Sequence, residues 1–100
     1  MVESSERLKT LDELRQFVVE TLSRLESLQP ERVELTQETL SRSGTPCGIQ
    51  FSLRGPRAVR LTAIWETDRN TILFYGSCGR RVQRTQLVES PRMAAPTIEA

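Results

Sequence analysis

Apolar residues recur every three or four positions between residues 10 and 29, which is the period of a helix with one buried face. The repeating positions are Leu11, Leu14, Val18, Leu22 and Leu25. Thr10 and Glu13 have the spacing of a capping box, in which both side chains accept hydrogen bonds from free backbone N–H groups. Pro30 cannot continue a helix. The pattern therefore predicts one amphipathic helix between Thr10 and Pro30.

After Pro30 the apolar residues alternate with polar ones, which is typical of strands with one buried face. The alternating segments cover residues 32–40, 47–54, 58–75 and 80–89. The third segment contains two strands joined by Asp68-Arg69-Asn70, and it predicts the central hairpin of an antiparallel sheet. Turn-forming residues separate the segments, at positions 41–46, 55–57 and 76–79.

Two short turns determine how these strands align. A three-residue turn at 55–57 places Leu53 opposite Val59. A three-residue turn at 68–70, with Asn70 in the left-handed conformation, places Trp65 opposite Leu73. Together the turns put large apolar side chains on one face, which we expect to carry the helix: Ile49, Phe51, Leu53, Val59, Leu61, Trp65 and Leu73.

These elements predict an α+β fold of two layers, in which one N-terminal amphipathic helix packs on one face of a four- to five-stranded antiparallel β-meander. We expect residues 1–9 to be a flexible N-terminus and residues 10–89 to form the single domain. Residues 90–100 contain two prolines and no pattern, and we expect a disordered tail there. The pattern leaves open whether the strand at 32–40 pairs with the next strand or lies at the far edge.

The predicted register places Ile64, Ile72 and Phe74 together on the outer face, away from the helix. Three neighbouring large apolar groups on an exposed face indicate a contact surface. A symmetric dimer is the commonest way for a small protein to cover such a surface. We therefore expect a non-catalytic protein-interaction module that pairs with a second copy, or with another protein, through this face.

The distribution of charge suggests an alternative function. Residues 1–40 carry five basic and nine acidic side chains, whereas residues 41–100 carry nine arginines and four acidic side chains. The arginines predicted for the sheet and its last turn are Arg54, Arg60, Arg80, Arg81 and Arg84. With Phe74 among them, they have the ingredients of a sheet that binds RNA or single-stranded DNA. Arginine on exposed strands also serves simply to prevent aggregation.

The segment Gly76-Ser77-Cys78-Gly79-Arg80-Arg81 is the candidate for chemistry. Its glycines suit an anion-binding nest, and its arginines favour a thiolate at Cys78. However, the chain contains no histidine to act as a base, and a tight hairpin turn requires the same glycines. We therefore expect a turn, and regard a small-anion or thiol enzyme as a second, weaker alternative.

The sequence predicts no cofactor and no metal. Cys47 and Cys78, without histidine, do not provide an ordinary zinc site, and two cysteines do not make a disulfide framework. The sequence has no apolar stretch of membrane-spanning length and no basic-then-apolar leader. From these features we expect a cytoplasmic protein with reduced thiols.

Overall fold

The computed structural model describes residues 2–91, which form one helix and six strands. The helix α1 spans Leu11–Leu25. The strands are β1 Val2–Glu6, β2 Glu34–Arg42, β3 Thr45–Arg54, β4 Arg60–Glu66, β5 Thr71–Tyr75 and β6 Arg81–Leu87. The predicted α+β class is confirmed, and the sheet has six strands where four or five were expected.

The start of α1 is fixed by the predicted capping residues. The Thr10 hydroxyl accepts a hydrogen bond from the Glu13 backbone N–H at 3.1 Å, and the Glu13 carboxylate accepts one from the Lys9 N–H at 2.8 Å. At the other end Ser27 adopts a left-handed conformation with φ 55°, and the Leu28 N–H donates to the Ser23 carbonyl at 2.7 Å. This C-terminal cap ends α1 before Pro30.

The strand order across the sheet is β1-β6-β5-β4-β3-β2. Strands β2 to β6 form an antiparallel meander, so β2 pairs directly with β3, which answers the question that the sequence left open. The chain leaves β1 at one edge, passes through α1, and enters β2 at the opposite edge. On the way α1 packs against β3 and β4.

The structure differs from prediction at the N-terminus, where residues 2–6 form β1 instead of lying outside the domain. β1 pairs in parallel with β6, and the hydroxyls of Ser4 and Thr85 lie 2.8 Å apart. Its sequence, VESSE, has no alternating apolar residues, so no local signal predicts a strand there. Of the predicted tail at 90–100, positions 92–100 lie outside the described residues.

The alignment of β3 with β4 differs from prediction by two residues, because the connection spans residues 55–59. Leu53 lies opposite Leu61, where Val59 was expected. A shift of two preserves which side chains share a face, since side chains alternate along a strand. Phe51, Leu53 and Leu61 are accordingly all buried beneath α1 as predicted.

The predicted alignment of β4 with β5 is wrong by one residue, which reverses the two faces of β5. Trp65 lies opposite Ile72, where Leu73 was expected, because the connecting loop contains four residues. Asn70 has the predicted left-handed conformation, with φ 49°, but its N–H closes the loop on the Thr67 carbonyl at 3.2 Å. Every side chain of β5 therefore lies on the face opposite to the predicted one.

The core lies between α1 and the inner face of the sheet. From α1, Leu14, Val18 and Leu22 are fully buried, as the helical pattern predicted. Phe17 meets Phe74 edge to face, with ring centroids 6.0 Å apart, a favourable arrangement for two aromatic rings. The sheet contributes buried side chains from β3 to β6: Ile49, Phe51, Leu53, Leu61, Ala63, Trp65, Ile72, Phe74 and Leu87.

Candidate functional site on the open face of the sheet

α1 covers one face of the sheet only, and no described element packs on the other, which we call the outer face. Side chains alternate across the sheet, so the pairing of the strands defines which residues lie there. The central ones are Thr36, Glu38, Gln50, Ser52, Arg54, Arg60, Thr62, Ile64, Leu73, Tyr75, Arg81 and Arg84, with Glu34 at the β2 end. The outer face is therefore mainly polar, and its cations are all arginines.

The structure does not bring Ile64, Ile72 and Phe74 together. Ile64 lies on the outer face as predicted, but Ile72 and Phe74 are 0 % exposed and lie in the core under α1. Leu73 takes their place opposite Ile64, and it is only 8 % exposed. The prediction of an apolar patch on the outer face is thus corrected, because the one-residue shift in β5 exchanges the residues on its two faces.

Arg54 and Arg60 lie directly opposite each other on β3 and β4, and both side chains are exposed. Glu34 is the neighbour of Arg54 on the other side, in β2. Among residues 2–91, neither guanidinium forms a salt bridge with a carboxylate. Two like charges facing each other across a strand pair destabilise a sheet. The two guanidinium groups thus lie beside one acid, Glu34, without forming a salt bridge with it.

A line of hydroxyl groups crosses the sheet next to the arginine pair. Thr36, Ser52, Thr62 and Tyr75 lie directly opposite one another on β2, β3, β4 and β5. Neighbouring strands are about 4.8 Å apart, so the line from Thr36 to Tyr75 is roughly 14 Å long. The first three of these residues, both arginines and Glu34 are among the residues that line a depression of about 590 Å³. We define the arginine–hydroxyl surface as the four hydroxyl residues and three arginines: Thr36, Ser52, Thr62, Tyr75, Arg54, Arg60 and Arg81.

Tyr75 and Arg81 form the aromatic end of this surface. The Arg81 guanidinium lies 5.8 Å from the centroid of the Tyr75 ring, and its Nη2 donates to the Tyr75 hydroxyl at 3.4 Å. A guanidinium over an aromatic face is attracted by the ring quadrupole. Sequence reasoning missed Tyr75 as a surface residue and proposed Phe74, since the predicted register exchanged the two.

Arg80 does not join the arginines of the sheet. It is exposed in the turn between β5 and β6, one residue before β6 begins. The Gly76 N–H donates to the Arg80 carbonyl at 2.9 Å, and the Gly79 N–H donates to the Gly76 carbonyl at 2.9 Å. These two N–H groups are used within the turn, so they do not form an anion-binding nest. Both cysteines are free thiols, and Cys78 is exposed at the tip of the same turn.

Two further structural features bear on function. Within the described part of the chain, no cluster of three or more cysteine, aspartate and glutamate side chains has the arrangement of a metal site. In the same residues, α1 is neither long enough nor apolar enough to cross a membrane.

Comparison with models of known protein families, with curated proteins and with solved structures found no match to this chain. The arginine–hydroxyl surface is consequently interpreted from its own geometry and charge.

Proposed function

We propose that the protein is a non-catalytic binding module whose arginine–hydroxyl surface binds single-stranded nucleic acid. The observation that carries this proposal is the Arg54–Arg60 pair, which is exposed and forms no salt bridge among the described residues. An anionic ligand removes the repulsion within such a pair. The fixed planar fork of each guanidinium is suited to phosphate oxygens.

The hydroxyl line supports a ligand that extends across the strands. Thr36, Ser52 and Thr62 present neutral donors and acceptors beside the two guanidinium groups. Such groups contact the phosphates and sugars of nucleic acids without reading their sequence. The length of the line, roughly 14 Å from the strand spacing, allows more than one phosphate to bind.

Tyr75 and Arg81 supply the stacking group that a single-strand binder needs. Unpaired bases stack on aromatic rings or on guanidinium planes, and each stacked base contributes about 1–3 kcal/mol. Double-stranded nucleic acid has no free base faces. The combination therefore favours a single strand over a duplex.

A second candidate is self-association through the outer face. One observation favours it: the acids Glu34 and Glu38 lie on β2, at one edge, while Arg81 and Arg84 lie on β6, near the other. A two-fold axis parallel to the strands would place each acidic edge over the arginines of a second copy. With Ile72 and Phe74 in the core, the apolar residues of the outer face available for this contact include Leu40, Ile64 and Leu73.

The binding proposal is tested by fluorescence anisotropy with a labelled single-stranded oligonucleotide, titrated at several salt concentrations. We compare the native chain with the double variant Arg54→Gln/Arg60→Gln. The matched control is Arg24→Gln/Arg32→Gln, which removes two exposed charges from α1 and the turn after it. A third variant, Tyr75→Leu, removes the stacking ring, and Tyr75→Phe keeps it.

For native protein we expect affinity to fall with salt, and for Arg54→Gln/Arg60→Gln we expect weaker binding. Each phosphate contact that is lost lowers the slope of log K against log salt by about 0.7 for a single strand. The control variant should bind like the native chain, and Tyr75→Phe should bind better than Tyr75→Leu. Equal losses in both double variants would show that net charge alone is responsible and would contradict the proposal.

A further inference from the structure

β2 forms an edge of the sheet that is open for pairing along residues 34–40, before the irregularity between Leu40 and Ser41. It is nine residues long, pairs on one side with β3, and contains no buried residue. Proteins commonly protect such edges with proline, lysine or short strands. β2 contains neither proline nor lysine, and its charged residues Glu34, Glu38 and Arg42 are spaced four apart, so they lie on the outer face.

The hydrogen-bonding pattern shows which backbone groups of β2 point away from the sheet. The Cys47 carbonyl accepts from the Thr67 N–H at 3.1 Å, and the Gly55 N–H donates to the Val59 carbonyl at 3.0 Å. The odd-numbered residues of β3 therefore bond to β4, and the even-numbered ones bond to β2, since bonds alternate along an antiparallel ladder. On β2 the N–H and C=O groups of Leu35, Gln37 and Thr39 consequently face the open edge.

The side chains at these positions also suit a neighbouring strand. Leu35 and Gln37 line a depression of about 520 Å³ between β2 and α1, together with half-buried Val19. The Gln37 side-chain carbonyl accepts a hydrogen bond from Arg15 Nη1 at 3.1 Å, which leaves the amide NH₂ group of Gln37 available. A strand added beside β2 would cover apolar surface of Leu35 as well as bond to the backbone.

Charge disfavours two of the registers in which a second copy of β2 could pair. Centred on Thr36, a two-fold antiparallel pair would set Glu34 opposite the partner's Glu38, and centred on Glu38 it would set two glutamates face to face. Like charges directly opposite are unfavourable. Centred on Gln37, the pair matches Leu35 with the partner's Thr39 and Thr36 with the partner's Glu38. This register pairs no like charges between residues 34 and 40. Centring on Thr39 pairs none either, but that register runs across the irregularity between Leu40 and Ser41, whereas the one centred on Gln37 stays on its regular side.

We propose that two copies of the chain pair antiparallel through β2, about a two-fold axis at Gln37, to form one continuous sheet. Backbone hydrogen bonds are exchanged between Leu35 and the partner's Thr39, and between the two Gln37 residues. The axis is perpendicular to the sheet, so the outer faces of both copies lie on the same side. The proposal does not depend on nucleic-acid binding, although it would place two arginine–hydroxyl surfaces on one face.

Disulfide trapping tests the register. In a background with Cys47→Ser and Cys78→Ser, single cysteines are introduced as Gln37→Cys, Thr39→Cys and Ser52→Cys, and crosslinked dimer is measured under mild oxidation. Paired residues in a ladder are about 5.5 Å apart at Cα, within the range for a disulfide. We expect Gln37→Cys to crosslink at least tenfold faster than the other two. Equal rates, or fastest crosslinking of Ser52→Cys on the outer face, would overturn the proposal.

Light scattering on native protein provides the second measurement, and we expect a mass of twice 11.4 kDa at high micromolar concentration. Thr39→Pro removes an N–H that points to the open edge, a position where a strand tolerates proline. We expect this variant to be a monomer with an unchanged circular dichroism spectrum. A native protein that stays monomeric, or a Thr39→Pro variant that remains a folded dimer, would contradict pairing through β2.

Discussion

Trp65 and Asn70 are joined by a hydrogen bond that helps to decide which side of β5 faces the core. The indole Nε1–H donates to the Asn70 side-chain carbonyl at 3.1 Å. The amide of the same Asn70 donates to the carbonyls of Glu89 at 2.9 Å and Leu87 at 3.4 Å. One loop residue therefore connects β4 with the end of β6 while closing the four-residue turn before β5.

Replacing Asn70 with glycine should destabilise the fold through the loss of these bonds. Glycine tolerates the φ of 49° at this position, so the backbone itself is not strained by the change. Leaving the buried indole N–H without a partner should cost about 1–3 kcal/mol in the free energy of unfolding. The measurement is urea denaturation, with the exposed neighbour Asp68→Gly as control for added flexibility. Equal stabilities of the two variants would show that the Asn70 side chain does not hold the turn.

Glutamate at position 74 or 75 distinguishes the observed register from the one-residue alternative. In the structure Phe74 is fully buried beneath α1 and Tyr75 lies on the outer face. An unpaired carboxylate in the core is too costly to be accommodated. Phe74→Glu should therefore abolish folding, while Tyr75→Glu should remain folded, as judged by circular dichroism. The reverse result would support the alternative register and return Phe74 to the outer face.

Arg60→Glu should raise stability and lower nucleic-acid affinity at the same time. The substitution turns a repulsive cross-strand pair with Arg54 into an attractive one, a change of roughly 0.2–1 kcal/mol. It also removes a cation from the arginine–hydroxyl surface. Denaturation and anisotropy on the same sample measure both effects, with Arg24→Glu as the control. If stability and affinity fell together, the substitution would be acting through the fold.

Alanine at Gly48 should destabilise the pairing of β3 with β4. A Cβ atom at this position would lie 2.3 Å from the backbone carbonyl oxygen of Trp65, so one strand must move. Overpacking of this kind typically costs about 1–3 kcal/mol. Ser52→Ala, on the same strand, is the control, and urea denaturation measures both. A Gly48→Ala variant as stable as the control would show that β3 and β4 accommodate the added methyl group without a loss of stability, which would contradict the prediction.

The parts of the fold that could be predicted are those in which local pattern and packing agree. The Thr10 cap and the apolar spacing specify α1, and the alternation in β3 and β4 survives an error of two residues in their alignment. β5 could not be assigned in the same way. Ile72, Leu73, Phe74 and Tyr75 are all apolar or aromatic, so either face could be the buried one, and the length of the preceding loop decides.

The candidate surface could be predicted only where the alternation of polar and apolar residues was clear. Arg54, Arg60 and Arg81 were assigned correctly to the sheet, because their segments alternate clearly. Tyr75 was missed because the predicted alignment of β5 was wrong by one residue. Arg80 lies in the exposed turn before β6, apart from the other arginines. β1 had no local signal, since its strand conformation depends on pairing with β6 at the other end of the described chain.

The most direct test of the binding surface is a two-dimensional amide NMR spectrum of labelled protein, titrated with a short single-stranded oligonucleotide at low and moderate salt. We predict shifts concentrated at Thr36, Ser52, Thr62 and Tyr75 and at the arginines beside them, with amplitudes that decrease as salt is added. An unchanged spectrum, or shifts confined to α1 on the opposite side of the sheet, would contradict nucleic-acid binding by the outer face.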